Sequence, residues 1–160
     1  MDGESYFLSG VMGGSGAGTA NLAGVAVESQ DYRVSIRAAV LAADKTARVV
    51  DPAEVVKLRA PELHADGLPE AAFWKEDGSV RAMFGEVVAL AAQCDVVISY
   101  LPTASMGSAI ELHAAREAGR LVVVVAPNER MRANWVVRVY ADFVFDDIGS
   151  LSQWLEQRHI

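Results

Sequence analysis

Apolar residues along the chain fall into two alternating kinds of segment. Short runs at Tyr6–Val11, Arg48–Asp51, Asp95–Tyr100, Leu121–Ala126 and Asp142–Phe145 are mostly apolar at nearly every position. A strand with one wet face alternates apolar and polar residues. A strand covered on both faces reads as a continuous apolar run, so these segments predict the buried strands of a parallel sheet. Between them, apolar residues recur at helical spacing. Asp31–Ala43 places Ile36, Val40 and Ala43 at i, i+4 and i+7, with Tyr32 and Ala39 beside them. Val80–Ala92 gathers Met83, Val87, Leu90 and Ala91 on one face. Ser108–Ala118 is rich in Ala, Leu and Ile and is stopped by Gly119, and Ile148–Gln157 is amphipathic through Leu151, Trp154 and Leu155.

Strands that alternate with helices predict an α/β fold: a flavodoxin- or Rossmann-like, doubly wound, five-stranded parallel sheet in a single domain spanning residues 1–160. Two long connections interrupt the alternation. One runs from Met12 to about Gln30 and opens with GGSGAGTANLAG. The other, Ala60 to Gly78, holds two prolines, Phe73, Trp74 and five acidic residues. Connections longer than about 12–15 residues in a compact domain are usually functional or disordered.

Composition narrows the classes of function without choosing a chemistry. The chain has 160 residues, is 52% hydrophobic and carries a net charge of -7. An acidic balance argues against coating a nucleic-acid polymer, which calls for a basic face. The single cysteine, Cys94, forms no intramolecular disulfide and reads as a small core residue. The longest apolar run, Leu121 to Pro127, is far shorter than the roughly 20 residues of a spanning helix. The N-terminal MDGESYF lacks a basic stretch followed by an apolar one, so no signal peptide is expected. The expectation is a compact, soluble, cytoplasmic protein. His64, His113 and His159 are scattered without metal-ligand spacing, so no metal or organic cofactor is expected.

Ligands of open α/β sheets bind outside the carboxyl ends of the strands. The glycine-rich stretch after the first strand matches neither G-x-G-x-x-G nor a P-loop with its Lys-Ser/Thr pair, and reads as a lid or turn. The segment YLPTASMGSAIELHAA, Tyr100–Ala115, is more informative. Ser105 suits a helix N-cap, and Gly107 lets a ligand approach the backbone. The amides of Met106, Gly107 and Ser108 would then form an anion site at the helix start. Glu111 lies one turn further along the same face. Two readings stand for it: compensation of the helix dipole, or a reactive carboxylate beside the anion site. Asp51 either turns the chain or contacts a sugar hydroxyl. Arg33 and Arg37 either reach a phosphate or form a solvated face. Phe73 and Trp74 either stack on a base or pack their loop, and Trp135 and Trp154 read as packing or interface residues.

These blocks together resemble the nucleoside 2-deoxyribosyltransferase-like superfamily, which includes nucleoside 5′-monophosphate N-glycosidases. YFLSGVMGG (Tyr6–Gly14) looks like its first strand and loop. Tyr32, Arg33, Ile36 and VVDP (Val49–Pro52) are similar to its first helix and second strand. QCDVVISYLP (Gln93–Pro102) looks like its central strand, and SMGSAIEL (Ser105–Leu112) resembles the stretch ending in the catalytic glutamate. The resemblance implies Glu111 as nucleophile, forming a glycosyl-enzyme ester, with Tyr6 as the hydroxyl that orients it. It implies Ser105 and Gly107 at the 5′-phosphate, and Ser108, Gly10, Met12, Gly13 and Asp51 among the substrate contacts. Asn134, in NWVV, matches a residue that reaches a neighbouring subunit's site, which implies a homodimer or larger assembly. The family commonly has an aspartate eight residues before the acid that begins the central strand, where this chain has Val87, flanked by Glu86. Glu86, Asp66, Glu76 and Asp77 are the candidates to protonate the leaving base.

Overall fold

A computed structural model describes residues 3–10, 31–59 and 77–159. Five strands form one all-parallel sheet: β1 (Ser5–Gly10), β2 (Arg48–Val50), β3 (Val96–Tyr100), β4 (Leu121–Val125) and β5 (Phe143–Phe145). Their spatial order is β2-β1-β3-β4-β5, the doubly wound arrangement expected from the sequence. Seven helices occur among the described residues: α1 (Asp31–Ala43), α2 (Pro52–Arg59), α3 (Asp77–Gln93), α4 (Met106–Glu117), α5 (Glu129–Arg132), α6 (Trp135–Tyr140) and α7 (Ile148–Arg158).

The continuous apolar runs are explained by helices on both faces. Successive side chains of a strand point to opposite faces, so the central strands β1, β3 and β4 each feed two cores. The edge strands β2 and β5 are more exposed than their apolar runs predict. On one face Tyr6, Leu8, Val96, Ile98, Val123 and Val125 pack against Tyr32, Ile36 and Val40 of α1 and Leu151 and Leu155 of α7. On the other, Phe7, Val97, Val122 and Val124 pack against Val87 and Ala91 of α3, Leu112 and Ala115 of α4 and Val137 of α6. Cys94 lies in the second cluster, where burial pushes its thiol pKa up, as expected of a core cysteine.

The helices differ from expectation mainly at their starts. α3 begins at Asp77 rather than Val80, and α4 at Met106 rather than Ser108. The Asp51-Pro52 pair, read as a turn, opens α2 instead. Asp51 Oδ1 accepts from the Ala53 amide at 2.9 Å, and Pro52 takes the first helical position, where its missing N–H costs nothing. α4 stops as expected: Gly119 has φ +69°, and the Arg120 amide donates to Ala115 O at 2.9 Å. No helix among the described residues is long and apolar enough to cross a membrane, and no group of three or more His, Cys, Asp or Glu side chains there is placed to hold a metal ion.

Candidate active site

The order of strand addition reverses between β1 and β3: β1 continues to β2 on one side, whereas β3 lies on the other. Such a switch point opens a crevice at the carboxyl ends of the two strands. Ser9 and Ser99 face each other there in register, one position before Gly10 and Tyr100 close the ladder. Helix α4, which follows β3, delivers Glu111 to the same point. Glu111 is only 5% exposed, and Ser9 Oγ donates a hydrogen bond to its Oε2. Ser99 Oγ in turn donates to Ser9 Oγ at 3.2 Å.

Burial favours the neutral form of a carboxyl group, and it dominates here, raising the Glu111 pKa to about 7. The Ser9 hydrogen bond and the Arg33 guanidinium pull the other way without overcoming it. Of the two sequence readings of Glu111, dipole compensation fits poorly, because a compensating carboxylate gains nothing by leaving water.

Arg33 is not on a solvated face. It is 5% exposed, and its Nη1 donates to Asp51 Oδ1 at 2.7 Å and to Leu8 O at 3.1 Å; Nη2 donates to Gly10 O at 3.4 Å. The guanidinium therefore ties α1 to the end of β1 and to the start of α2. Asp51 is engaged by this ion pair and by its cap. Arg37, in contrast, pairs with Glu54 at 3.0 Å near the surface, as a solvated face would. Gly10 answers to a close approach: a Cβ there would lie 2.4 Å from Tyr32 Oη and 2.8 Å from its Cζ. The Tyr32 ring cannot easily give way, since it stacks on Tyr100 with centroids 4.6 Å apart.

The start of α4 is capped by the residue expected from the sequence: Ser105 accepts from the Ser108 amide at 3.2 Å. Ser108 is 2% exposed, and its Oγ is a buried side-chain atom without a hydrogen-bond partner among the described residues. A buried hydroxyl without a partner is costly. A Cβ added at Gly107 would meet Phe84 Cε2 at 3.7 Å and Ser105 Oγ at 4.0 Å, both ordinary contacts, so packing does not require glycine there. Asn128 Nδ2 donates to Pro102 O at 2.7 Å and so tethers the loop that leads into this helix.

Tyr6 does not orient Glu111. Its side chain lies in the opposite core, where its hydroxyl donates to Glu4 Oε2 at 2.6 Å and sits 2.8 Å from His159 Nε2. Burial and the Glu4 carboxylate push the phenol pKa well up. Strand parity is the reason, since Tyr6 and Ser9 are three residues apart and face opposite ways. Ser9, which the sequence reading missed, holds the contact instead. Its signal was a lone hydroxyl inside an apolar strand, matched by Ser99 in the neighbouring one.

The remaining candidates are placed as follows. Val87 is buried in the apolar core and brings no carboxylate to it; Glu86 beside it is half-buried. Asn134 Oδ1 caps its own helix, accepting from the Val136 amide at 2.9 Å. Trp135 is 85% exposed, whereas Trp154 packs against Phe143 and Phe145. Met12, Gly13, His64, Asp66, Phe73, Trp74 and Glu76 lie outside the described residues, as does the side chain of Asp77.

No family model matches the sequence, and no curated protein matches it. Solved structures do. A conserved protein from Enterococcus faecalis V583 is similar over 97% of this chain and 98% of its own, at TM-score 0.59 and 16% identity. A 2-deoxyribosyltransferase from the psychrotolerant bacterium Bacillus psychrosaccharolyticus is similar over 92% of this chain and 90% of its own, at TM-score 0.56 and 17% identity. The chain shares its fold with both of these proteins.

Proposed function

We propose that the protein cleaves the N-glycosidic bond of a nucleoside 5′-monophosphate or nucleoside, with Glu111 as nucleophile. The observation that carries this reading is a buried carboxylate at the switch point, one turn from a helix start whose buried Ser108 hydroxyl has no hydrogen-bond partner among the described residues. In the first step a Glu111 oxygen bonds to the anomeric carbon as the bond to the base nitrogen breaks. The bonding pair leaves with the base, which takes up a proton. In the second step water attacks the same carbon, losing a proton, and the Glu111 carboxylate is released. Each step passes through an oxocarbenium-like state and is easier than a single displacement. A second base in place of water would make the reaction a transfer.

The nucleophile must be ionised, so a Glu111 pKa of about 7 places the rise in activity near neutral pH. The α4 amides and Ser108 Oγ fit a 5′-phosphate, and a local patch of this kind is compatible with the net charge of -7. The exposed Trp135 and Met106 support a homodimer, with Asn134 near the contact. A second reading, a nucleotide-binding module without turnover, is favoured by one observation: Val87 supplies no acid for the leaving base.

The test is a panel of nucleosides and their 5′-monophosphates, incubated at high protein concentration and scored for free base by chromatography. Base release is expected, faster from monophosphates. Binding of a nucleotide without release of base would establish the module instead.

A further inference from the structure

We propose that Ser9, backed by Ser99, is the positioning residue of Glu111: its hydroxyl pins Oε2 and leaves Oε1 as the oxygen that attacks the sugar. This rests on the reading of Glu111 as nucleophile.

The strands themselves make the case. β1 and β3 are buried on both faces, and side chains facing α4 from the middle of such strands are ordinarily apolar, as Phe7 and Val97 are. Ser9 and Ser99 depart from that pattern together, at one register position, and both are fully buried. A hydroxyl buried in an apolar core costs stability unless it is hydrogen-bonded, so a pair of them calls for an acceptor. The chain of donation supplies one. Ser99 gives its proton to Ser9 at 3.2 Å, and Ser9 gives its own to Glu111. The relay thus ends on the carboxylate, the strongest acceptor within reach.

The direction of donation also has a chemical consequence. A hydroxyl that donates to a carboxylate favours the ionised form, against the burial that disfavours it. The other groups facing Glu111 are Arg33, which favours ionisation, and Tyr32, both on α1. Asp51 lies behind Arg33 and partly offsets it. Arg33 is held by two backbone carbonyls and an ion pair. Ser9 touches Glu111 directly, so it bears on the geometry of the carboxylate as well as its charge.

The experiment follows the Glu111 side-chain carboxyl by NMR in protein labelled with 13C at glutamate, without substrate, across pH 5–9. Wild type, Ser9→Ala and Ser99→Ala are compared, with Glu111→Gln to assign the signal. In Ser9→Ala the titration midpoint is expected to move up by about one pH unit, and in Ser99→Ala by less. The acid limb of the pH–kcat profile should move with it, with about tenfold lower kcat at pH values below the midpoint and KM little changed. A purely structural role would lower the melting temperature and leave the midpoint in place. A folded Ser9→Ala protein with an unmoved midpoint overturns the proposal. If Ser9→Ala does not fold, an unmoved midpoint in Ser99→Ala overturns it. Because the titration needs no substrate, a shifted midpoint in a protein that releases no base would uphold the Ser9–Glu111 coupling and overturn the glycosidic reading.

Discussion

Glu111 concentrates the conflict between folding and chemistry in one side chain. Its pKa is raised in the folded protein to about 7, from an ordinary 4.5. A carboxyl group whose folded pKa is raised binds more protons folded than unfolded between those two values, so stability is lost as pH rises through that window. Replacement by glutamine removes the titration. Relative to wild type, Glu111→Gln is therefore expected to gain stability between pH 5 and pH 8, by on the order of 3 kcal/mol. Chemical denaturation at both pH values checks this; a difference between the two proteins that does not change with pH would contradict it. Glu111 was legible from its place after a capped, glycine-bearing helix start. The partner of Glu111 was not, because the resemblance drew attention to an aromatic hydroxyl. Counting parity from Gly10 would have put Phe7 and Ser9, and not Tyr6, on the face toward α4.

At the scale of elements, the substrate contacts proposed above gather at the start of α4. The Ser105 cap holds the Ser108 amide, the Ser108 hydroxyl is buried, and Asn128 steadies the preceding loop through Pro102 O. Gly107 separates packing from function in this helix. Alanine there meets ordinary contacts and has the better helix propensity, by up to about 1 kcal/mol. Gly107→Ala is thus expected to melt no lower than wild type while its KM for a nucleoside 5′-monophosphate rises about tenfold or more, against a small change for the nucleoside. Equal changes for both would remove phosphate from the site. Strands were the most legible elements, since burial on both faces leaves continuous apolar runs. α2 was the least legible. Its residues PAEVVKLR form no clear apolar stripe, and Asp-Pro serves a turn and a helix start equally well.

For the whole molecule, the order β2-β1-β3-β4-β5 explains why residues distant in sequence meet. Ser9, Arg33, Ser99 and Glu111 arrive on four elements that the switch point between β1 and β3 brings together. Alternation of strands and helices was enough to predict this architecture, whereas the pairing of Ser9 with Ser99 needed the register. The outer surface carries its own prediction. Met106, 78% exposed on α4, and Trp135, 85% exposed on α6, lie on helices that pack together beside the site. These large apolar side chains are what the proposed homodimer would cover. Trp135→Asp is expected to convert a homodimer to monomer in light scattering at micromolar concentration; a wild-type monomer would contradict the assembly. The central claim is tested most directly by measuring free-base release from a nucleoside 5′-monophosphate by wild type and Glu111→Gln, side by side from pH 5 to pH 9. Wild-type release should rise through about pH 7, with the variant at least about a thousandfold slower throughout. Release by folded Glu111→Gln within about tenfold of wild type would contradict the account.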